Sequence, residues 1–323
     1  MKTVCENIDR LITTEMRLTS LVRGTTSSLY NKAREATQNP DYSITYQIAN
    51  DFKERIDKNN KFRIGIFTGV WHPEHLPDGE NDGPIGAVVL AKALYDCGAE
   101  IVIGTEKEVY KVIKELCVYL NLPAKIISLS RENENENKKI SDEIDSAIFI
   151  EKIGPSKEGI YHFATGYSRE EQDAPLESML EEMQKEGKLT VGIGDMGNEI
   201  GFGKIYKSVR KINPLGEVCN CPQKDGITTI MSTDYILPSS VSNIGAYGIV
   251  ASLALLSKDT SILHEPENEL ELIKICTKFN CIDGGFGKAH NYVDGISSES
   301  MFSYVQILKD MVRTYFNTEK RKF

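Results

Sequence analysis

The densest group of chemically capable residues in the 323-residue chain is the run Val191-Gly192-Ile193-Gly194-Asp195-Met196-Gly197-Asn198-Glu199-Ile200-Gly201-Phe202-Gly203-Lys204. Leu189–Ile193 reads as an apolar strand that enters a glycine turn, and the turn reads as opening a helix over Lys204–Ile212. Backbone N–H groups and a positive helix end would then face the carboxyl edge of the strand, where open α/β sheets bind ligands. Asp195 and Glu199, with Asn198 between them, form a carboxylate pair suited to a hard cation such as Mg²⁺ or Mn²⁺, or to an amine. The competing reading is local: Asp195 caps the helix and Glu199 complements its dipole. Spacing alone does not choose between them. The third glycine is misplaced for a dinucleotide fingerprint, the two acids would face the pyrophosphate, and no P-loop is present, so no nucleotide cofactor is expected.

A second turn, Leu76-Pro77-Asp78-Gly79-Glu80-Asn81-Asp82-Gly83-Pro84, follows the first strand and reaches the same edge. Asp82 either caps the helix that starts at Pro84 or points into the cleft. Ser242-Asn243, Asp283-Gly284-Gly285 and Val293-Asp294-Gly295 complete an acidic, amide-bearing rim, though each alone reads as an ordinary turn. His72 and His75 lack the helical i,i+4 spacing of a metal pair. No G-x-S-x-G elbow occurs, and no Cys–His pair is suggested by position. The seven cysteines are scattered and odd in number, which predicts reduced thiols. Cys219-Asn220-Cys221 has no second ligand pair at knuckle spacing, so a zinc site is not expected.

The elements that must position these turns alternate. Strands read over Arg63–Val70, Glu100–Gly104, Lys125–Leu129, Ala147–Ile150 and Leu189–Ile193, with shorter pieces at Thr228–Met231 and Tyr235–Leu237. Helices read over residues 84–97, 106–120, 175–186, 243–256, 266–279 and 299–315, and Arg131–Lys139 reads as an exposed loop. This predicts an α/β fold, a mostly parallel sheet with helices on both faces. An N-terminal helical segment over residues 1–60 precedes it, expected to cap the sheet or another subunit. Its first helix carries Ile8, Leu11, Ile12, Met16, Leu18 and Leu21, and a second and third follow from Leu29 and after Pro40. Residues 61–323 then form the α/β domain, divisible into lobes 61–188 and 189–323.

Composition narrows the function classes. With 38 Lys and Arg against 47 Asp and Glu, the net charge is −9, and no basic stripe favours nucleic acid. The longest apolar run, Ile249–Leu256, is too short to span a membrane. The N-terminus lacks the pattern of a signal peptide, so a cytoplasmic protein without membrane partners is expected.

Taken in order, these blocks resemble the D-glutamate cyclase-like family. Leu76–Ala87 is similar to the family's PxGExDGPxGA block and Ile150-Glu151-Lys152-Ile153-Gly154, with Gly159-Ile160-Tyr161, to a second block. Gly192–Lys204 is similar to GxGDGGNEIGMGK, Val241–Tyr247 to VSNWGAY, and Ile282-Asp283-Gly284 with Val293-Asp294-Gly295 to paired VDG elements. The helical start from Glu6 through Arg23-Gly24 to Tyr30 resembles the opening of free-standing bacterial members. The chain departs from the pattern at Met196 (glycine), Phe202 (methionine) and Ile244 (tryptophan).

The resemblance implies a hydro-lyase that cyclises D-glutamate to 5-oxo-D-proline with release of water. The candidate base is one of Asp82, Asp195 and Glu199, and a Mg²⁺ or Mn²⁺ ion on Asp195 and Glu199 would polarise the γ-carboxylate. Asn198, Asn243 and the N–H groups of Gly83, Gly194 and Gly197 would bind substrate oxygens, with Asp283 and Asp294 on the rim. The expected partners are an amino-acid substrate and further copies of the chain. The alternatives are a metal-dependent phosphate-ester hydrolase and a non-catalytic small-molecule binder.

Overall fold

The computed structural model describes residues 1–17, 24–169 and 173–317. Six strands form one parallel sheet: β1 (Arg63–Thr68), β2 (Glu100–Thr105), β3 (Lys125–Ser128), β4 (Ser146–Ile150), β5 (Leu189–Gly194) and β6 (Tyr235–Pro238). Their order is β3-β2-β1-β4-β5-β6, with Ile66 of β1 opposite Ile103 of β2 and Ile148 of β4. This is the expected α/β class. The chain builds outward from β1 to β3, returns to β4, and builds outward the other way. The loops leaving β1 and β4 therefore diverge and open a crevice at the carboxyl edge. The central strands β1, β4 and β5 are buried almost throughout, which is why they read as continuous apolar runs.

Around the sheet lie α1 (Lys2–Ile12), α2 (Thr25–Glu35), α3 (Ile44–Lys58), α4 (Pro84–Asp96), α5 (Tyr110–Tyr119), α6 (Glu134–Lys138), α7 (Glu177–Lys185), α8 (Tyr206–Ile212), α9 (Ser242–Ser257), α10 (Pro266–Lys278) and α11 (Ser298–Phe316). A small hairpin, β7 (Tyr292–Val293) and β8 (Ile296–Ser297), precedes α11. On one face α4 and α9 lie against the sheet, and α1, α3 and α11 lie over α9. Helix α9 is thus an interior helix, buried from Ser242 to Leu255 and apolar all round. Cys5, Ile8 and Ile12 of α1 and Ile48 and Phe52 of α3 share one continuous core with Ile64, Ile66 and Ile193 of the sheet. The other face is thinner: Phe67 and Phe149 stack 5.3 Å apart beneath Met179, Leu180 and Met183 of α7.

Several local expectations change. Helix α1 stops at Ile12 rather than running on to Leu21, and Leu18, Leu21 and Arg23 lie outside the described residues. Its exit is tied elsewhere: Ser240 N–H donates to Ile12 O at 2.8 Å, and Tyr304 Oη donates to Thr14 O at 2.7 Å. Helix α2 starts earlier than expected, at Thr25, because Glu15 accepts from the Gly24 and Thr26 amides and supplies the missing start. The charged run 131–139 contains the short helix α6, pinned by the buried Asn137, whose Nδ2 donates to the Ser130 and Pro175 carbonyls. Residues 228–231 form no strand. The turn after β5 does not open a helix directly, since a 3₁₀ turn over Gly203–Ile205 intervenes before α8.

Candidate active site

A cleft of about 580 Å³ opens at the carboxyl edge of the sheet. Arg17, Glu80, Glu151, Asp195 and Asp294 line it, along with Met196. Asp82 sits just beneath: carboxylate oxygens of Asp82, Glu151 and Asp195 all lie within 4.8 Å of one another. Five acids therefore converge where the sheet order reverses.

Each acid is placed by a different local device. Asp195 follows the end of β5, in a turn stabilised by Glu199. The Glu199 carboxylate curls back to accept from the Asp195, Met196 and Gly197 amides at 3.1, 2.9 and 2.7 Å. Gly194 makes room for it, since a Cβ there would lie 2.9 Å from Glu199 Cβ and Cδ. Gly197 turns the chain with φ 102°, a conformation that strains other residues. Glu199 is completely buried and holds the loop, so it is a positioning residue. This corrects two expectations: Glu199 does not pair with Asp195 around a cation, and the Gly197 amide is already engaged.

Asp82 and Asn243 cap each other's helices. Asp82 accepts from the Ser242 and Asn243 amides at 3.0 and 2.8 Å, so it caps α9 rather than the adjacent α4. Asn243 Oδ1 accepts from the Gly83 and Gly86 amides at 2.9 and 2.7 Å and caps α4, while its Nδ2 donates to Asn81 O. The Asn243 side chain and the Gly83 amide are thus engaged in joining the two helix starts, not in binding an oxygen from the cleft. Asp283 is likewise internal. It accepts from the Gly285, Phe286 and Gly295 amides and pairs with His290 Nε2 at 2.8 Å, tying the two glycine turns together.

Glu151 leaves β4 with φ 48°, in the left-handed region, and its Oε2 accepts from Ser242 Oγ at 2.5 Å. Asp294, at φ 50°, and Asp195 grip Arg17 from two sides, with Nη1 at 2.5 and 3.0 Å. The Arg17 side chain is 7% exposed, and among the described residues its Nη2 has no hydrogen-bond partner. Asn198 turns its Nδ2 onto His162 O at 2.9 Å, and its buried Oδ1 has no partner among the described residues.

The electrostatics follow from this crowding. Burial pushes the Asp82 carboxyl up to about 7, helped by Asp294 and opposed by the two amides it accepts from. Glu80 is raised well above the usual range by burial and then by Asp294 and Asp82. Glu151 is raised by burial and then by Asp195, Glu199 and Asp82. Asp195 is raised by burial although Arg17 pulls the other way. For Arg17 burial opposes the charge, but Asp195 and Asp294 outweigh it and raise its pKa further. Among the described residues two guanidiniums border the cleft, Arg17 and Arg169, and Arg169 is already paired with Asp173, so the cluster of five carboxyls is short of positive charge. It must hold protons or take up a cation.

Of the carboxylates expected to be catalytic, Asp195 alone lines the cleft; Asp82 is buried beneath it and Glu199 is turned away. Asp294 lies on the wall as expected. Sequence reasoning missed Arg17, Glu80 and Glu151. Glu151 directly follows β4 and Glu80 lies in the loop between β1 and α4, both inside the blocks that carry the family resemblance, so a signal was present. Arg17 follows an amphipathic helix in a segment with no motif, and only the fold brings it to the site.

The family model described as "D-glutamate cyclase-like, C-terminal" matches residues 12–309, a span that includes Arg17 and every acid of the cleft. Over 200 residues the chain is 25% identical to the human (Homo sapiens) protein named "D-glutamate cyclase, mitochondrial". That stretch covers 57% of this chain and 31% of the human protein, so the chain corresponds to about a third of that relative's length. Among the described residues no helix is long and apolar enough to cross a membrane. With the model spanning almost the whole sheet and the edge that bears the acids, this chain belongs to the D-glutamate cyclase-like family.

Proposed function

We propose that the chain is a hydro-lyase that converts D-glutamate to 5-oxo-D-proline and water in the acid-lined cleft. The observation that carries this reading is the charge imbalance: five converging carboxyls set against Arg17, with the second cleft guanidinium, Arg169, already paired to Asp173, suit a substrate that brings its own ammonium, in a member of this family. A phosphate ester would bring more negative charge to the same wall, which argues against the hydrolase alternative.

In the reaction the substrate nitrogen bonds to its own γ-carboxyl carbon and one carboxylate oxygen departs. The two protons lost by the ammonium leave with that oxygen as water. Arg17 Nη2, buried and without a hydrogen-bond partner among the described residues, is suited to the substrate α-carboxylate. Asp195 is assigned to take the ammonium proton, since it lines the cleft and burial raises its proton affinity against the pull of Arg17, whose Nη1 lies 3.0 Å from its Oδ2. Glu80 and Glu151, whose proton affinity is raised, are suited to donate to the departing oxygen. Folding the flexible substrate into a ring-ready conformer supplies proximity worth several kcal/mol.

Mg²⁺ or Mn²⁺ fits the oxygens of Asp82, Glu151 and Asp195, a hard donor set. When bound it would polarise the γ-carboxylate. This set replaces the expected pair of Asp195 and Glu199.

The test is a chiral assay of D- and L-glutamate with purified protein, with EDTA and with added Mn²⁺ or Mg²⁺, alongside Asp195→Asn. The reading expects D-specific conversion that falls by about 10²-fold or more in Asp195→Asn while the fold is kept. Absence of conversion of either enantiomer by folded protein, with either metal, overturns it.

A further inference from the structure

Away from the acids, a cleft-wall histidine meets two cysteines that no spacing in the chain joins to it. His162 lies 57 residues before Cys219 (219 − 162), yet its Nε2 is 3.3 Å from Cys221 Sγ. One ligand atom from each of His162, Cys219 and Cys221 lies within 4.8 Å of the others, and all three residues are buried. Neither cysteine is in a disulfide. A tetrahedral ion with Zn–S of about 2.3 Å and Zn–N of about 2.0–2.1 Å requires donor atoms about 3.5 Å apart, close to the 3.3 Å between His162 Nε2 and Cys221 Sγ.

We propose that His162, Cys219 and Cys221 hold a zinc ion that clamps the wall of the cleft.

The clamp joins two loops that otherwise meet through a few hydrogen bonds. His162 and Ser168 bridge to form a turn that brings Phe163, Thr165, Tyr167 and Arg169 to the cleft. Asn220 N–H donates to Gly166 O at 2.9 Å, and Asn220 Nδ2 to Thr165 O at 2.7 Å. The His162 carbonyl in turn accepts from Asn198, so the ion would fix the turn that carries Asp195 from behind. Binding releases the thiol protons to solvent. Water completes the fourth position, since His162 itself borders the cleft. The soft sulfur and imidazole donors select zinc, whereas the acids of the cleft select Mg²⁺ or Mn²⁺.

The test uses the full chain, purified under reducing conditions, incubated with Zn²⁺ and desalted. Elemental analysis is expected to find one zinc per chain. Replacement by Co²⁺ should give the d–d bands of a tetrahedral site and a thiolate-to-cobalt charge-transfer band. Cys219→Ser with Cys221→Ser should lower zinc retention at least about tenfold, while Asp195→Asn keeps it. If the double variant does not fold, thiol labelling of the native protein decides. Cys219 and Cys221 should label faster after chelation, identified by peptide mapping. Wild-type protein that retains no zinc, a cobalt spectrum without charge transfer, loss of zinc in Asp195→Asn, or labelling that ignores chelation each overturns the proposal. None of these readouts depends on turnover of glutamate.

Discussion

Asp9 and Asp82 are both buried aspartates that cap a helix from a distant part of the chain, and the difference between their surroundings separates scaffold from site. Asp9 Oδ2 accepts from the Ile44 amide at 2.7 Å, starting α3, and its carboxylate also takes the hydroxyls of Tyr30 and Thr45. Burial raises it to about 6 and these donors pull it back. Asp82 starts α9 in the same manner, yet Glu151 and Asp195 crowd it with like charge. Burial alone is therefore no mark of function. The mark is burial together with like charges that the fold leaves without enough donors.

The sharpest way to break this contrast is Arg17→Ala. It removes the guanidinium between Asp195 and Asp294, and turnover of D-glutamate should fall about 10²–10³-fold. Steady-state kinetics checked against a thermal melt would show it, and unchanged kcat/KM would return Arg17 to the scaffold. Asp9→Ala should do the opposite, lowering stability by about 2–4 kcal/mol in urea unfolding with kcat per folded molecule unchanged.

A smaller effect sharpens the comparison through pH. Both carboxyls have folded-state values above the ordinary 3.8, so the folded protein binds their protons more tightly than the unfolded chain does. Their contribution to stability is full below about pH 4 and is lost as pH rises through about 6 for Asp9 and about 7 for Asp82. The unfolding midpoint should thus be higher near pH ~5 than near pH ~8. Mn²⁺ or D-glutamate should restore stability on the upper part of that limb, where Asp82 titrates, and leave the Asp9 part unchanged.

Much of the scaffold was legible because its signals are local. Buried parallel strands read as apolar runs, Pro84 and Gly98 bracket α4, and glycine turns mark the carboxyl edge. The carboxyl-edge location of the acids was legible for the same reason. Their roles were not, since Asp82 and Asn243 cap helices 160 residues away from themselves, and Glu199 satisfies its own loop. A cap written across the chain leaves no spacing to read. His162 and the Cys219-Asn220-Cys221 pair illustrate the same limit, since ligand spacing is informative only when the ligands come from one loop.

The placement of Arg17 has a consequence for the order of folding. It precedes β1 by 46 residues (63 − 17), while the acids it faces come from loops after β1, β4, β5 and the late hairpin. A sheet assembled before α1 docks would bring those acids together with no guanidinium among them, and they would repel until protons or cations arrived. Docking of the N-terminal segment then completes the charge pattern at the moment it closes the core over α9. Whatever the order of folding, activity would wait for that docking, which makes turnover a timer for the arrival of the N-terminal segment.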